Sequence, residues 1–513
     1  GAFSPLSISG LSAWWDASDA STITQSGGAV SQWNDKSGNL RHLTQGSVAK
    51  RPLINTVTIN GLAAVKFDGT DDLMTGSSFI YNQGAASIFI VVKGAAQDTD
   101  RRILAEAHLV DTIPQYSFND APGTSSLATF FARNDANTVM INHGACGAVF
   151  TDFPKITSLI DSGSNLTAYL DGVQTSSTAY TRGTTSINVL AVGALKRPTE
   201  TSFSSAAIAE IVVYDRALTT DERTSVESYL TNKWYEQVDV LFMLGQSNAD
   251  GRGANGALPS TLSTFYNTDY ASMMTYFKPA VRTAGTVNAG SFADDGEIYQ
   301  LAKTHDTPTK KTHQVVGFTA SDVPTQTASL HGAELGYGYY HYQSTPSKKL
   351  YIIKAAVGGA SILTDWDMPS AGSSSLWAWF KTYIYTPWYA DVVAKGQKPI
   401  LKKIFWMQGE TDADNGMSQA NYETYLQQFI TRCNSEFFAT PQKIVIGGLS
   451  ATYDTTDGLK IKAAQEVIAA SNSNSTLLPT DGTGVDPAYA LNVDLIHYSP
   501  QGLMDLANRL FLT

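Results

Sequence analysis

The 513 residues are enough for two to four domains at about 100–200 residues each, so a peptide or single small module is excluded. Lys and Arg total 35 against 46 Asp and Glu, a formal net charge of -11 with no long basic cluster, which excludes general nucleic-acid or anionic-membrane binding through a basic face. With 16% charged residues, 43% hydrophobic residues and only Cys146 and Cys433, the chain is globular with a neutral polar surface and has no disulfide framework.

From Leu11 to about Ile211, short apolar or alternating runs such as Ala63-Phe67, Ser87-Val92, Thr167-Leu170 and Ile208-Val213 are separated by Gly, Asn, Asp and Ser. This spacing predicts an all-β sandwich. From Asp221, Val226, Tyr229, Leu230 and Trp234 recur at three-to-four spacing and predict one amphipathic helix closing the first domain. After Gln237 the rhythm changes. Apolar runs Val238-Leu244, Leu350-Ala356, Ile400-Met407, Lys443-Gly448 and Thr476-Pro479 alternate with helical stretches at 328–342, 376–394, 419–438, 459–470 and 500–511. That alternation predicts a parallel α/β sheet. Residues 252–326 break it with polar, Gly-containing and aromatic sequence, and are expected to form an insertion over one end of the sheet. The longest apolar runs fall far short of the ~20 residues a membrane span needs. The start at Gly1, without Met or an apolar leader, reads as a processed chain or a fragment.

Four strand ends carry chemistry-bearing residues. The first strand runs into Gly245-Gln246-Ser247-Asn248, which sets a serine where open α/β sheets hold their sites; a plain Ser-Asn turn is the alternative. Ala355-Ala356-Val357-Gly358-Gly359-Ala360-Ser361 can aim a backbone N–H into the same space, and both it and the next segment also read as tight turns. Phe405-Trp406-Met407-Gln408-Gly409-Glu410-Thr411-Asp412 offers the Gln408 amide to a developing oxyanion, with Glu410 and Asp412 as braces for loops or a histidine. Asp494-Leu495-Ile496-His497 supplies a base and its orienting carboxylate, or else a surface pair. No His-x-x-x-His or clustered carboxylate set accompanies it, so no metal and no cofactor are expected.

These four segments, in this order, resemble the SGNH (GDSL-like) hydrolases, in the branch of sialate O-acetylesterases and related carbohydrate acetylesterases. The resemblance spans residues 238–513. It implies a three-layer α/β domain of flavodoxin-like order in which Ser247 is the nucleophile, His497 the general base and then acid, and Asp494 its orienting partner. It implies an oxyanion hole made by the Ser247 N–H, a glycine N–H at Gly359 or Gly358, and Gln408, which stands where other SGNH enzymes carry Asn. Asn248 would tie the turn to its neighbours, Glu410 would be structural, and Glu334, in His331-Gly332-Ala333-Glu334, would support the site. His331 is either a substrate contact or an ordinary residue, and His305, His313 and His341 are expected at the surface. The Trp and Tyr residues between Trp366 and Trp388 can stack on sugars, though helical spacing favours the core.

In the first domain, Leu11-Ser12-Ala13-Trp14-Trp15-Asp16, Trp33-Asn34-Asp35-Lys36-Ser37-Gly38, Val65-Lys66-Phe67-Asp68-Gly69 and the run from Ile208 to Leu218 resemble concanavalin A-like, laminin G-like jelly rolls over residues 5–235. Trp33, Asp35 and Phe67 are expected to hold that sandwich together, and no dense acidic run marks a calcium site. Together the resemblances imply a serine carbohydrate O-acetylesterase acting on an acetylated polysaccharide or glycoconjugate. The fitting context is extracellular: a secreted bacterial enzyme, or a bacteriophage tail spike, in which case a homotrimer. A catalytically inactive glycan- or receptor-binding protein is the alternative. Sialic acid, xylan, pectin and bacterial O-antigen all remain open as the acetylated sugar.

Overall fold

The computed structural model of the protein describes residues 3–94, 101–119, 128–143, 152–251, 253–254, 273–277, 282–283, 286–287, 297–300, 330–345, 348–372, 375–437, 443–482, 489–491 and 495–513. The chain divides into two compact units, residues 1–236 with 393–398, and residues 237–392 with 399–513.

The N-terminal unit is an all-β sandwich that closes toward a barrel, its described strands joined in one antiparallel network with several cross-pairings, apart from the short pair Leu195–Lys196 and Glu200–Thr201. At its centre Ala207–Tyr214 pairs with Ala86–Lys93 on one side and Leu11–Asp16 on the other. Alternation decides which core each residue enters. Ile88, Ile90, Val92, Ile211 and Val213 face the sandwich interior with Trp15, Trp33 and Phe67. Phe89, Val91, Val212 and Tyr214 face the other way and are covered by Val226, Leu230 and Trp234 of the helix Thr220–Trp234. That helix starts in a capping box, with Thr219 Oγ1 accepting from the Glu222 N–H and the Glu222 carboxylate accepting from the Thr219 N–H.

Three sequence expectations for this unit can be placed. Asp35 accepts hydrogen bonds from the N–H groups of Trp14 (2.8 Å), Ser37 (2.8 Å) and Arg41 (3.0 Å), so it fastens a loop to the first strand. Trp33 is fully buried, and Phe67 packs over Gly193, where a Cβ would sit 2.2 Å from its ring. Glu210, inside the apolar strand Ala207–Tyr214, is also fully buried. Its carboxylate accepts from Trp14 Nε1 (2.6 Å), Trp234 Nε1 (2.6 Å), the Tyr229 hydroxyl (2.9 Å) and Lys233 Nζ (2.7 Å). Burial pushes its carboxyl above the usual range, so these four donors are what make the position tolerable.

Among the described residues, the C-terminal unit is built on a seven-stranded sheet. Its strands are β1 (Glu236–Gly245), β2 (Met273–Phe277), β3 (Glu297–Gln300), β4 (Leu350–Ala356), β5 (Gln397–Met407), β6 (Ile444–Gly447) and β7 (Ser475–Leu478). They lie in the order β3-β2-β4-β1-β5-β6-β7. Parallel pairing runs through β2, β4 and β1 and through β5, β6 and β7, while β3 is antiparallel to β2. Part of the stretch expected to be an insertion over the sheet is therefore the sheet's own edge, since Met273–Phe277 pairs with Leu350–Ala356 in register from Met273↔Leu350 to Phe277↔Lys354. An irregular-looking segment conceals these two strands because each is only four or five residues long.

Helices cover both faces of this sheet. Val238, Val240, Phe242 and Leu244 of β1 enter one core with Trp366, Trp377, Trp379, Trp388 and Phe429. Leu241 and Met243 enter the other with Ala333, Tyr337, Leu503 and Leu506, contributed by the helices Ala333–Ser344 and Pro500–Leu512. Trp366, Trp377, Trp379 and Trp388 are thus core, each 1% exposed or less, and Tyr385 packs partly buried against them. His341, expected at the surface, is also buried at 4%, because its helix turns it onto Asp239 of β1 (Nε2 to Oδ2, 3.1 Å). His305, His313 and Cys146 lie outside the described residues, and Cys433 is a buried free thiol.

Candidate active site

From β1 the chain passes to β2 and β4 on one side and then to β5 on the other. The order reverses between β1 and β5, and open α/β sheets hold ligands in the crevice at the carboxyl ends of such strands. Gly245 ends β1 and Met407 ends β5, and the Gln246 N–H donates to Met407 O at 2.9 Å. Gly245 adopts φ +143, and a Cβ there would lie 1.9 Å from Met407 O. Only glycine allows the two strand ends this approach. We expect Gly245→Ala to push β1 from β5 and cost about 3 kcal/mol or more, the upper end of overpacking; an unchanged melting curve for the intact chain would contradict this.

Beyond Gln246 the chain turns into the short helix Ser247–Asp250, with Ser247 at its start and 5% exposed. Asn248 beside it organises the surroundings. Its Nδ2 donates to Glu410 Oε1 (2.8 Å) and to Ile496 O (3.2 Å), and its Oδ1 accepts from the Tyr498 N–H (3.2 Å). One amide therefore grips the backbone on both sides of His497. The Tyr498 hydroxyl anchors the same loop deeper in the sheet by donating to Thr480 Oγ1 (2.6 Å), which in turn donates to Gly448 O (2.9 Å) after β6. The turn that carries Ser247 is thus tied through Asn248 to the loop that carries His497. Asp494 lies outside the described residues.

Gly358 and Gly359 follow β4, with the Val357 N–H donating to Gly245 O at 3.3 Å and Gly359 at φ +66. Gln408 departs from the donor role expected of it. It is fully buried, and its Nε2 donates to Asp412 Oδ2 and to Ala360 O (2.9 Å), with Gln246 Oε1 also at 3.2 Å. Tyr422 donates its hydroxyl to Gln408 Oε1 at 3.0 Å. The amide hydrogens are spent inside the protein, so Gln408 serves as a clamp on the Gly-Gly loop.

Glu410 is 4% exposed and burial raises its carboxyl above the usual range. Oε1 takes the Asn248 bond, and Oε2 has no hydrogen-bond partner among the described residues. Glu334 forms a fully buried pair with Lys354 of β4 (2.9 Å) and accepts from the Gly332 N–H (2.8 Å). Burial opposes its ionisation, but Lys354 prevails and holds its carboxyl below the ordinary value. It braces the start of the helix Ala333–Ser344 against the sheet; the side chain of His331 is outside the described residues. Sequence reasoning gave no role to Gln246, whose Oε1 also accepts from the N–H groups of Gly409 (3.4 Å) and Thr411 (3.5 Å), and its position inside a strand-end motif was the one signal available.

Beside this crevice a cavity of about 240 Å³ opens past the carboxyl ends of β6 and β7, lined by Gly448, Leu477, Thr480, Asp481, Asp454 and Lys462 among others. Lys462 pairs with Asp454 (2.5 Å) and Asp481 (2.6 Å). The one carboxylate cluster of metal-binding size among the described residues is Asp68, Asp71 and Asp72 in the N-terminal unit. Asp68 Oδ1 there already accepts from the N–H groups of Thr70, Asp71 and Asp72, as a self-held turn does.

Residues 237–512 match a family model described as carbohydrate esterase, sialic acid-specific acetylesterase. The class is therefore that of the carbohydrate esterases. More narrowly, the match covers over half of the chain, and the chain belongs to the sialic acid-specific acetylesterase (SASA) family. No curated protein matches it in sequence. Among solved structures, it is similar to an Arabidopsis thaliana protein at 14% identity and TM-score 0.36, covering 53% of this chain and 96% of that one. It is also similar to Trypanosoma rangeli sialidase in complex with the inhibitor DANA, at 15% identity and TM-score 0.30 over 43% of this chain and 33% of that one. A third similarity is to the ligand binding domain of Botulinum neurotoxin serotype D in complex with N-acetylneuraminic acid, at 10% identity and TM-score 0.33 over 44% and 53%. The chain thus spans about a third of the sialidase and about half of the neurotoxin domain. No helix among the described residues is long and apolar enough to cross a membrane.

Proposed function

We propose that the C-terminal unit is a serine O-acetylesterase of the SGNH type that removes acetyl groups from a sialic acid or another O-acetylated sugar. The observation that carries this reading is the Asn248 amide, which holds the backbone on either side of His497 next to the turn bearing Ser247. Ser247 Oγ attacks the acetyl carbonyl while His497 takes its proton, with Asp494 orienting the ring. The backbone N–H groups of Ser247 and Gly359 hold the oxyanion, in keeping with a Gln408 amide spent elsewhere. The C–O bond to the sugar breaks as His497 returns the proton to the leaving hydroxyl. Water, deprotonated by the same histidine, then releases acetate and frees Ser247. No metal or cofactor takes part in these steps.

The cavity past β6 and β7, lined by Gly448 and Thr480 beside the loop of Tyr498, would receive sugar beyond the acetylated ring. The sandwich would hold the glycan, in an extracellular setting suited to a chain with so few charges and cysteines. The test is acetate release from O-acetylated sialic acid and from acetylated xylan and pectin, together with labelling by a fluorophosphonate. Acetate from at least one substrate and a single adduct at Ser247 are expected. A folded protein that releases no acetate and takes no label refutes the esterase and favours a glycan-binding role.

A further inference from the structure

The Gly358–Gly359 loop is held from below by residues of the segment after β5. Asp412, fully buried, accepts from Ser361 Oγ (2.6 Å) and from the Ile362 N–H (3.0 Å). The same carboxylate accepts from Gln408 Nε2, whose amide also donates to Ala360 O (2.9 Å). Ser361 is fixed from its other side, its N–H donating to Asp365 Oδ2 at 2.8 Å. Three consecutive residues after Gly359 are thus each gripped by Asp412 or by its hydrogen-bond partner. Asp412 lies on the short helix Glu410–Asp414, whose first residue holds Asn248.

We propose that Asp412 is a positioning residue for the oxyanion hole: through Ser361, Ile362 and Gln408 it fixes where the Gly359 N–H points. This rests on the esterase reading above. Asp412 touches no substrate atom in this scheme and carries no proton. Its effect is geometric, and donors held within a fraction of an ångström of the developing oxyanion matter in the transition state far more than in the ground state. A buried carboxylate suits the task because it accepts from three donors of different orientation at once, which an amide cannot match.

The test uses the full chain with p-nitrophenyl acetate and a boronic acid, which forms a bond from Ser247 Oγ to boron and sets an oxyanion mimic in the hole. For Asp412→Asn we expect kcat to fall about 10²-fold with KM unchanged, and boronic acid affinity to weaken by the same factor. Ser361→Ala, which removes one of the bonds and leaves the carboxylate in place, should shift kcat and boronic acid affinity together by a smaller factor. Circular dichroism and melting temperature establish that each variant is folded, and Ser361→Ala carries the test if Asp412→Asn is not. A folded variant with unchanged kcat, a loss confined to KM, or a kcat loss with boronic acid affinity intact would overturn the assignment. A wild type inert toward every acetyl ester is a different result, which refutes the esterase reading and this assignment with it.

Discussion

Ser247→Ala is expected to lower acetyl-ester turnover by about 10³-fold or more, to the background set by the remaining site, while the chain stays folded. The residue stands at the head of a four-residue helix with 5% of its surface exposed, and among the described residues its hydroxyl makes no hydrogen bond that the fold depends on. Removing that oxygen leaves the Asn248 contacts to Ile496, Tyr498 and Glu410 intact. Melting temperature within about 2 °C of wild type and absent acetate release are the paired outcomes to look for. A variant that still deacetylates at a tenth of the wild-type rate would remove Ser247 from the nucleophile's place.

The largest loss of stability is expected at Glu210. Truncation to alanine leaves the indole N–H groups of Trp14 and Trp234 buried without an acceptor, at about 1–3 kcal/mol each. Lys233 keeps Asp16 as a partner at 2.7 Å, so the cationic side of the cluster is partly spared. A total of about 3–5 kcal/mol, the scale for breaking a buried pair, corresponds to about 6–20 °C in the melting of a unit this size. Calorimetry of the full chain checks this, with Glu210→Gln expected to lose less because its one oxygen still serves a donor. A shift below about 2 °C for Glu210→Ala would mean the cluster contributes little.

The contrast between these positions explains what was legible in the amino-acid order. Strands, helices and the carboxyl-end placement of Ser247, Gly359 and Gln408 follow from periodicity and from glycines at strand ends, which are local signals. The Thr220–Trp234 helix follows from its apolar spacing. Gln408 did not follow, because the direction of an amide depends on what packs around it: Asp412 one helical turn later and Ala360 from another strand end. The same holds for Glu210, whose donors come from residues 14, 229, 233 and 234, and for His341, drawn inward by Asp239 about a hundred positions earlier. Met273–Phe277 was missed for a different reason. A five-residue strand offers too few alternations to stand out from loop sequence.

The grip of Asn248 on Ile496 and Tyr498 spans 248 and 250 positions of sequence. A ribosome adding about 5–20 residues per second needs roughly 12–50 s to cover that interval. Throughout it the nascent chain carries Ser247 without the loop of His497 that the proposed mechanism needs, and the last helix, Pro500–Leu512, has still to pack with the helix Ala333–Ser344. On the proposed mechanism, hydrolytic competence is therefore among the last properties the molecule acquires during its own synthesis, and a chain interrupted before residue 496 would be inert however well its earlier parts have folded.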